Sequence, residues 1–224
     1  MLLKKHRYFA IVLVVLISLA MVGSGFSMAF SGRGAPSTGS NTPTNATADY
    51  QAKKVSLAAI AEQAKTDTGN VQLQTYLGNE YYNAGVAAEK VAPTEVQENF
   101  RHAVEAYQNV LKTNKDPNVM VDMATAAFKS GDNDLAEKAY KEALVIKPDF
   151  INALINYGIF LSEAKQDWAG ALNQWQKALP LAQNSSDKEQ IQAMISQAQS
   201  ELKTNPAANG TSNPNPALKN TTGK

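Results

Sequence analysis

The chain has 224 residues, 21 lysines and arginines against 20 aspartates and glutamates, two histidines and no cysteine. Without cysteine, disulfides, thiolate metal sites, cysteine nucleophiles and a lipidated cysteine behind a leader are excluded. A formal net charge of +1 supplies no global field to draw nucleic acid, and between Gln51 and Lys203 the balance turns acidic, 15 basic against 19 acidic residues.

In chain order, Lys4, Lys5 and Arg7 precede an apolar run from Tyr8 to Phe30. As a helix that run spans about 34 Å, enough for a hydrocarbon core of about 30 Å. The spacing predicts a single transmembrane helix within residues 1–30, a signal anchor at the cell membrane. Its basic flank would stay cytoplasmic and the rest of the chain would be extracytoplasmic. A cleaved leader is the alternative, with Tyr8–Val22 as its apolar centre and Ser27-Met28-Ala29 as its small residues; the protein would then be secreted. Phe26, Met28 and Phe30 prolong the run and favour the anchor.

Residues 31–50 are rich in Gly, Pro, Ser, Thr and Asn, too poor in apolar side chains to offset chain entropy, and read as a flexible linker. Residues 204–224 have the same composition and are predicted to be a disordered tail. The glycosylation triplets at Asn45, Asn209 and Asn220 carry little weight in such Asn/Thr-rich segments.

Residues 51–203 are predicted to be one all-α domain. Leu57, Ile60, Ala61 and Ala64 make one stripe of a flanking helix. Three stretches then align: "YLGNEYYNAG" from Tyr76, "DMATAAFKSG" from Asp122 and "NYGIFLSEAK" from Asn156. Each pairs a large residue with a small one, Leu77-Gly78, Met123-Ala124 and Tyr157-Gly158. Downstream of each, a small residue precedes an aromatic by four: Ala103/Tyr107, Ala136/Tyr140, Ala171/Trp175. Met123 to Tyr157 is 34 residues, Ala103 to Ala136 is 33 and Ala136 to Ala171 is 35. The repeats fall at about 71–116, 117–150 and 151–184. In the first, Leu77 to Ala103 is 26 residues where Met123 to Ala136 is 13, so a 13-residue insertion around 86–98 is expected after Gly85 ends the helix. Thr94-x-x-Gln97 is expected to cap the next helix. Ser186-x-x-Glu189 is expected to cap a terminal helix at 187–203, whose stripe is Ile191, Met194, Ile195, Ala198 and Leu202.

These residues resemble the tetratricopeptide repeat family over about Val71 to Ala182, with Gly131 at the hairpin and Pro148 at the end of the second repeat. Pro180 departs from the pattern by falling early. The resemblance implies an antiparallel helix-hairpin solenoid of three repeats with flanking helices, and a groove lined by the first helices that takes a protein or peptide ligand. By helical phase the groove residues are Thr75, Asn79, Tyr82, Asn118, Val121, Thr125, Phe128, Asn152, Ile155 and Ile159. Phe128 and Ile159 equally fit neighbouring-helix contacts. The family's clamp for a C-terminal carboxylate uses Lys, Asn and Arg; here Asn79 matches, while Asp122, Asn156 and the other inward positions bring no lysine or arginine. Asn79→Ala with Asn152→Ala is expected to weaken capture without loss of stability.

The sequence carries no nucleophile elbow, phosphate loop or metal-ligand spacing, and His6 and His102 stand alone. No enzyme activity, cofactor, metal, nucleic acid or small-molecule substrate is expected. The expected function is that of a membrane-anchored interaction scaffold or assembly factor, as in envelope systems such as cytochrome c maturation. A self-associating structural envelope protein is the alternative.

Overall fold

The computed structural model describes residues 45–204, and every element in them is helical. The helices are α1 (Ala46–Thr66), α2 (Val71–Val91), α3 (Val96–Leu111), α4 (Pro117–Ser130), α5 (Asn133–Ile146), α6 (Ile151–Ala164), α7 (Trp168–Ala178) and α8 (Ser185–Thr204). Short 3-10 turns at Pro93–Glu95 and Leu179–Leu181 precede α3 and follow α7. The predicted membrane helix, most of the linker and nearly all of the tail lie outside the described residues. Among the described residues no helix is long and apolar enough to cross a membrane.

Asparagine and aspartate side chains start most of these helices by accepting an otherwise unpaired N–H of the first turn. Asn70 accepts from Leu73 N at 3.0 Å, Asp116 from Asn118 N at 2.8 Å and Asp132 from Leu135 N at 3.1 Å. Asp167 accepts from Gly170 N and Asn184 from Asp187 N, both at 2.8 Å. Two expected capping boxes are therefore replaced. Asn184 caps α8 in place of Ser186, and α3 starts from Glu95 with no side-chain cap. The 3-10 turn at Pro93–Glu95 delivers the chain into α3 already coiled.

The described helices divide into two units, one ending at Ile146 and one beginning at Lys147. In the first, α1 packs on α2, α2 pairs with α3, α3 with α4 and α4 with α5. The expected linker is shorter than its composition suggests, because α1 begins at Ala46. Asn45 opens it and buried Tyr50 secures it: the Tyr50 hydroxyl donates to Glu95 Oε2 at 2.8 Å and accepts from Asn99 Nδ2 at 2.9 Å. Only Tyr50, Leu57 and Ala64, seven residues apart, are buried along α1, so it lies on α2 by a single stripe. At its far end, Gln74 of α2 is 2% exposed yet satisfied, donating to Ala64 O at 2.9 Å and accepting from Asn109 Nδ2 at 3.1 Å.

The expected insertion is not a loop. α2 runs through Gly85 to Val91, 21 residues against 14 in α4, so the extra residues extend the hairpin as helix. Ala84, Gly85 and Ala88 are buried and Phe100 of α3 lies against Gly85, which gives the extension an apolar face to cover. At the equivalent Gly131 the helix does stop. Its φ of 92° is left-handed, and Gly131 N and Asp132 N donate back to Phe128 O and Ala127 O at 3.1 and 2.9 Å. Asp132 and Asn133 follow Gly131, whereas Val86, Ala87 and Ala88 follow Gly85; the second set can bury and the first cannot.

In the second unit, α6 pairs with α7 and α7 with α8. Trp175 of α7 is buried against Gly158 of α6, where any Cβ would collide with the indole. Ile191, Met194, Ile195 and Ala198 of α8 are buried, the four innermost residues of its expected stripe.

Candidate partner-binding face

In the first and third hairpins an aromatic residue lies on a glycine, and the polar end of such an aromatic must be paired once buried. A Cβ on Gly78 would lie 2.5 Å from Tyr107 Cε1. The Tyr107 hydroxyl, beyond its ring, donates to Asn79 Oδ1 at 2.8 Å. The second hairpin repeats the device. Thr125, at the position equivalent to Asn79, donates to Val121 O at 2.8 Å, which leaves its oxygen to accept from the Tyr140 hydroxyl at 2.9 Å. In the third, Trp175 Nε1 donates to Ile155 O at 3.1 Å, and the equivalent side chain is the apolar Ile159.

The ten residues expected in a groove thus separate by role. Asn79 and Thr125 hold buried tyrosines, so the expectation that Asn79→Ala leaves stability untouched is corrected: it would strand the Tyr107 hydroxyl. Val121, Ile155 and Ile159 are buried. Helical phase placed them correctly on the first helices but cannot tell a groove floor from a core. Thr75 and Phe128 are half-buried, with Thr75 donating to Val71 O at 2.8 Å. Asn118 and Asn152 are exposed, Asn118 Nδ2 donating to Asp116 Oδ1 at 2.8 Å. Tyr82 is half-buried, its ring edge-on to Phe100 at 5.2 Å between centroids.

Within the first unit, α2 and α4 present a common face. Glu89 and Lys129 meet across it at 3.7 Å. Asp122 is near enough that its charge, together with that of Glu89, adds to the burial that raises the Tyr82 hydroxyl above the ordinary tyrosine range. Asp122 is exposed on this face. Desolvation by neighbouring protein first, and the negative charge of Asp116 second, lift its carboxyl above the usual aspartate range. Glu89 escapes any sequence reading that ends α2 at Gly85; the Ala84/Ala88 spacing is the signal that extends the helix past it. Among the described residues no cluster of three or more His, Cys, Asp or Glu could hold a metal ion.

No family model matches the chain. It is 25% identical over 122 residues to Photosystem I assembly protein Ycf3 of Acaryochloris marina (strain MBIC 11017), covering 47% of this chain and 70% of that protein. Among solved structures it is similar to the Sgt2 TPR domain from Aspergillus fumigatus, with TM-score 0.44, 17% identity, and 65% and 91% of the two chains covered. It is also similar to MamA protein, with TM-score 0.46, 14% identity, and coverage of 73% and 91%. A third is the TPR2AB domain of yeast Sti1 in complex with pHSP90, with TM-score 0.41, 16% identity, and coverage of 69% and 83%. At these scores the architecture rests on the hairpins themselves.

Proposed function

We propose that the chain is a membrane-anchored protein-interaction scaffold or assembly factor, working on the extracytoplasmic side through the first helices of its hairpins. The observation that carries the interaction role is the common face of α2 and α4. Two hairpins are closed by their own tyrosine locks, and Tyr82, Asn118 and Asp122 remain beside the locks with surface to offer. Likeness to a protein whose name includes photosystem assembly is in keeping with an assembly role. The anchor and its orientation rest on the apolar run 8–30 and the basic residues before it.

Photo-crosslinking tests the face. A benzoyl-phenylalanine at Asn118 in the full chain, irradiated in intact membranes of the native host, is expected to give a discrete protein adduct. The same probe at exposed Gln192 on α8 is expected to give none. Equal labelling from both sites, or none from Asn118, would remove the face from consideration. Self-association is the second reading. It draws on Val145 and Ile146, which are 81% and 50% exposed at the end of α5, and concentration-dependent sedimentation of the full chain with no adduct from Asn118 would favour it.

A further inference from the structure

We propose that the outer face of α5 pairs antiparallel with the same face of a second copy of this chain, about a twofold axis between Lys141 and Glu142. The proposal rests on the self-association reading and gives it a surface and a register. Alongside α5 the first unit carries a groove of about 680 Å³. Its apolar lining is buried Met120 of α4 together with Val145 and Ile146, which are 81% and 50% exposed. Apolar residues exposed singly are ordinary, but these three share one groove. Asp134, Lys138, Lys141 and Val145 follow one another at the spacings of a single helical face, opposite the side that Ala136, Ala139, Tyr140 and Ala143 bury.

Charge decides the occupant. Lys115, Lys138 and Lys141 line the groove together with Asp134, Glu137 and Glu142, three of each sign. A strongly basic or acidic segment would be attracted by one half of them and repelled by the other, whereas a second copy brings the same balanced set in reverse order. The register follows from the order of charges along α5. Setting Asp134 opposite Val145 brings Lys138 onto Lys141 and Glu137 onto Glu142, like on like. Sliding one helix by four residues sets Lys141 opposite Glu142, twice by symmetry, and lays the Lys138 stem over Val145. The opposite slide carries Val145 and Ile146 past the start of the facing α5 and leaves them in water. The charges that meet at the axis have capacity for it. Lys141 Nζ donates to Glu137 Oε1 at 2.6 Å with donors to spare, and Glu142 lies 3.9 Å from Lys138, beyond hydrogen-bond reach.

The chain has no cysteine, so a single introduced one can be oxidised to a protein disulfide only with a second copy. The test places Lys141→Cys, beside the axis, in the full chain in detergent and adds copper phenanthroline. A disulfide-linked dimer is expected, while Gln192→Cys on the exposed side of α8 is expected to stay monomeric. In sedimentation of the cysteine-free chain, Val145→Lys is expected to weaken self-association by about tenfold or more, because symmetry counts the lost burial twice. Lys141→Glu is expected to weaken it too, and adding Glu142→Lys to restore it, since opposite charges then meet again across the axis. Circular dichroism checks that these surface variants stay folded. Concentration-dependent dimers indifferent to Val145→Lys, with equal cross-linking from 141 and 192, would overturn this surface while keeping self-association. Dimers weakened by Val145→Lys but not restored by the charge exchange would overturn the twofold axis. A chain that stays monomeric at every concentration would overturn both the surface and the self-association reading.

Discussion

At the residue scale, the contact of Gly78 with Tyr107 sets up a contest between two effects of adding a methyl group. Alanine gains about 1 kcal/mol of helix propensity over glycine. Against that, its Cβ would come within 2.5 Å of Tyr107 Cε1, a carbon of a ring that is 2% exposed and tied to Asn79 through its hydroxyl. A tethered ring cannot swing away, so the steric term wins. Gly78→Ala is expected to lower stability by about 1–3 kcal/mol, read as a shift in urea midpoint at unchanged slope. An unchanged midpoint would mean the ring moves freely.

The tyrosine lock makes a second prediction, this time of a rescue. Asn79→Ala leaves a buried hydroxyl without its acceptor and should cost about 1–3 kcal/mol. Tyr107→Phe removes the stranded group, so adding it to Asn79→Ala should restore part of that loss. Strict additivity in the double-mutant cycle would show that the two side chains do not communicate.

Elements show where pattern and structure part. Leu77-Gly78, Met123-Ala124 and Tyr157-Gly158 located the hairpins because packing against an aromatic needs a small residue, a requirement written in residue type. Helix ends were less legible, because they depend on what the next turn can bury. Gly85 and Gly131 occupy equivalent positions and have opposite fates, decided by Phe100 and Ala88 on one side and by Asp132 and Asn133 on the other. Hydrogen exchange separates helix from loop here: amides 87–91 are expected to be protected, and exchange at unstructured rates would restore the insertion loop. Groove membership was the least legible, since Val121, Ile155 and Ile159 share the helical phase of exposed neighbours while lying in the core.

The docking of α1 belongs to the same scale. Tyr50, Asn99 and Lys54 converge on Glu95, with Lys54 Nζ at 2.8 Å from its carboxylate. The Lys54 hydrogen bond first, and the Tyr50 hydroxyl second, hold the Glu95 carboxyl below the ordinary glutamate range. A depressed carboxyl stabilises the fold above its unfolded pKa and loses that contribution as pH falls through the folded value. Tyr50→Phe is therefore expected to cost about 1 kcal/mol near neutral pH and to shrink this part of the acid-side loss of stability. Exchange along 50–64 should speed up with it. An identical pH profile for the two proteins would detach α1 from Glu95.

For the whole molecule, the decisive expectation is topological. Protease added to intact spheroplasts should digest the repeat region, and protection from it would invert the proposed orientation. The proposed orientation rests on the basic residues Lys4, Lys5 and Arg7 ahead of the apolar run.

The third hairpin's lock has a consequence for how these repeats can diverge. Trp175 donates its hydrogen bond to the main-chain oxygen of Ile155, an acceptor that every residue type supplies equally. Positions 79 and 125 are bound to polar service by Tyr107 and Tyr140, whereas position 159 has been released from it. In a saturation mutagenesis library selected for folding, 79 and 125 should accept few replacements beyond hydrogen-bonding ones, and 159 should accept a range of apolar ones. An aromatic that borrows from the backbone gives its hairpin a latitude in composition that the tyrosine-locked pair lacks.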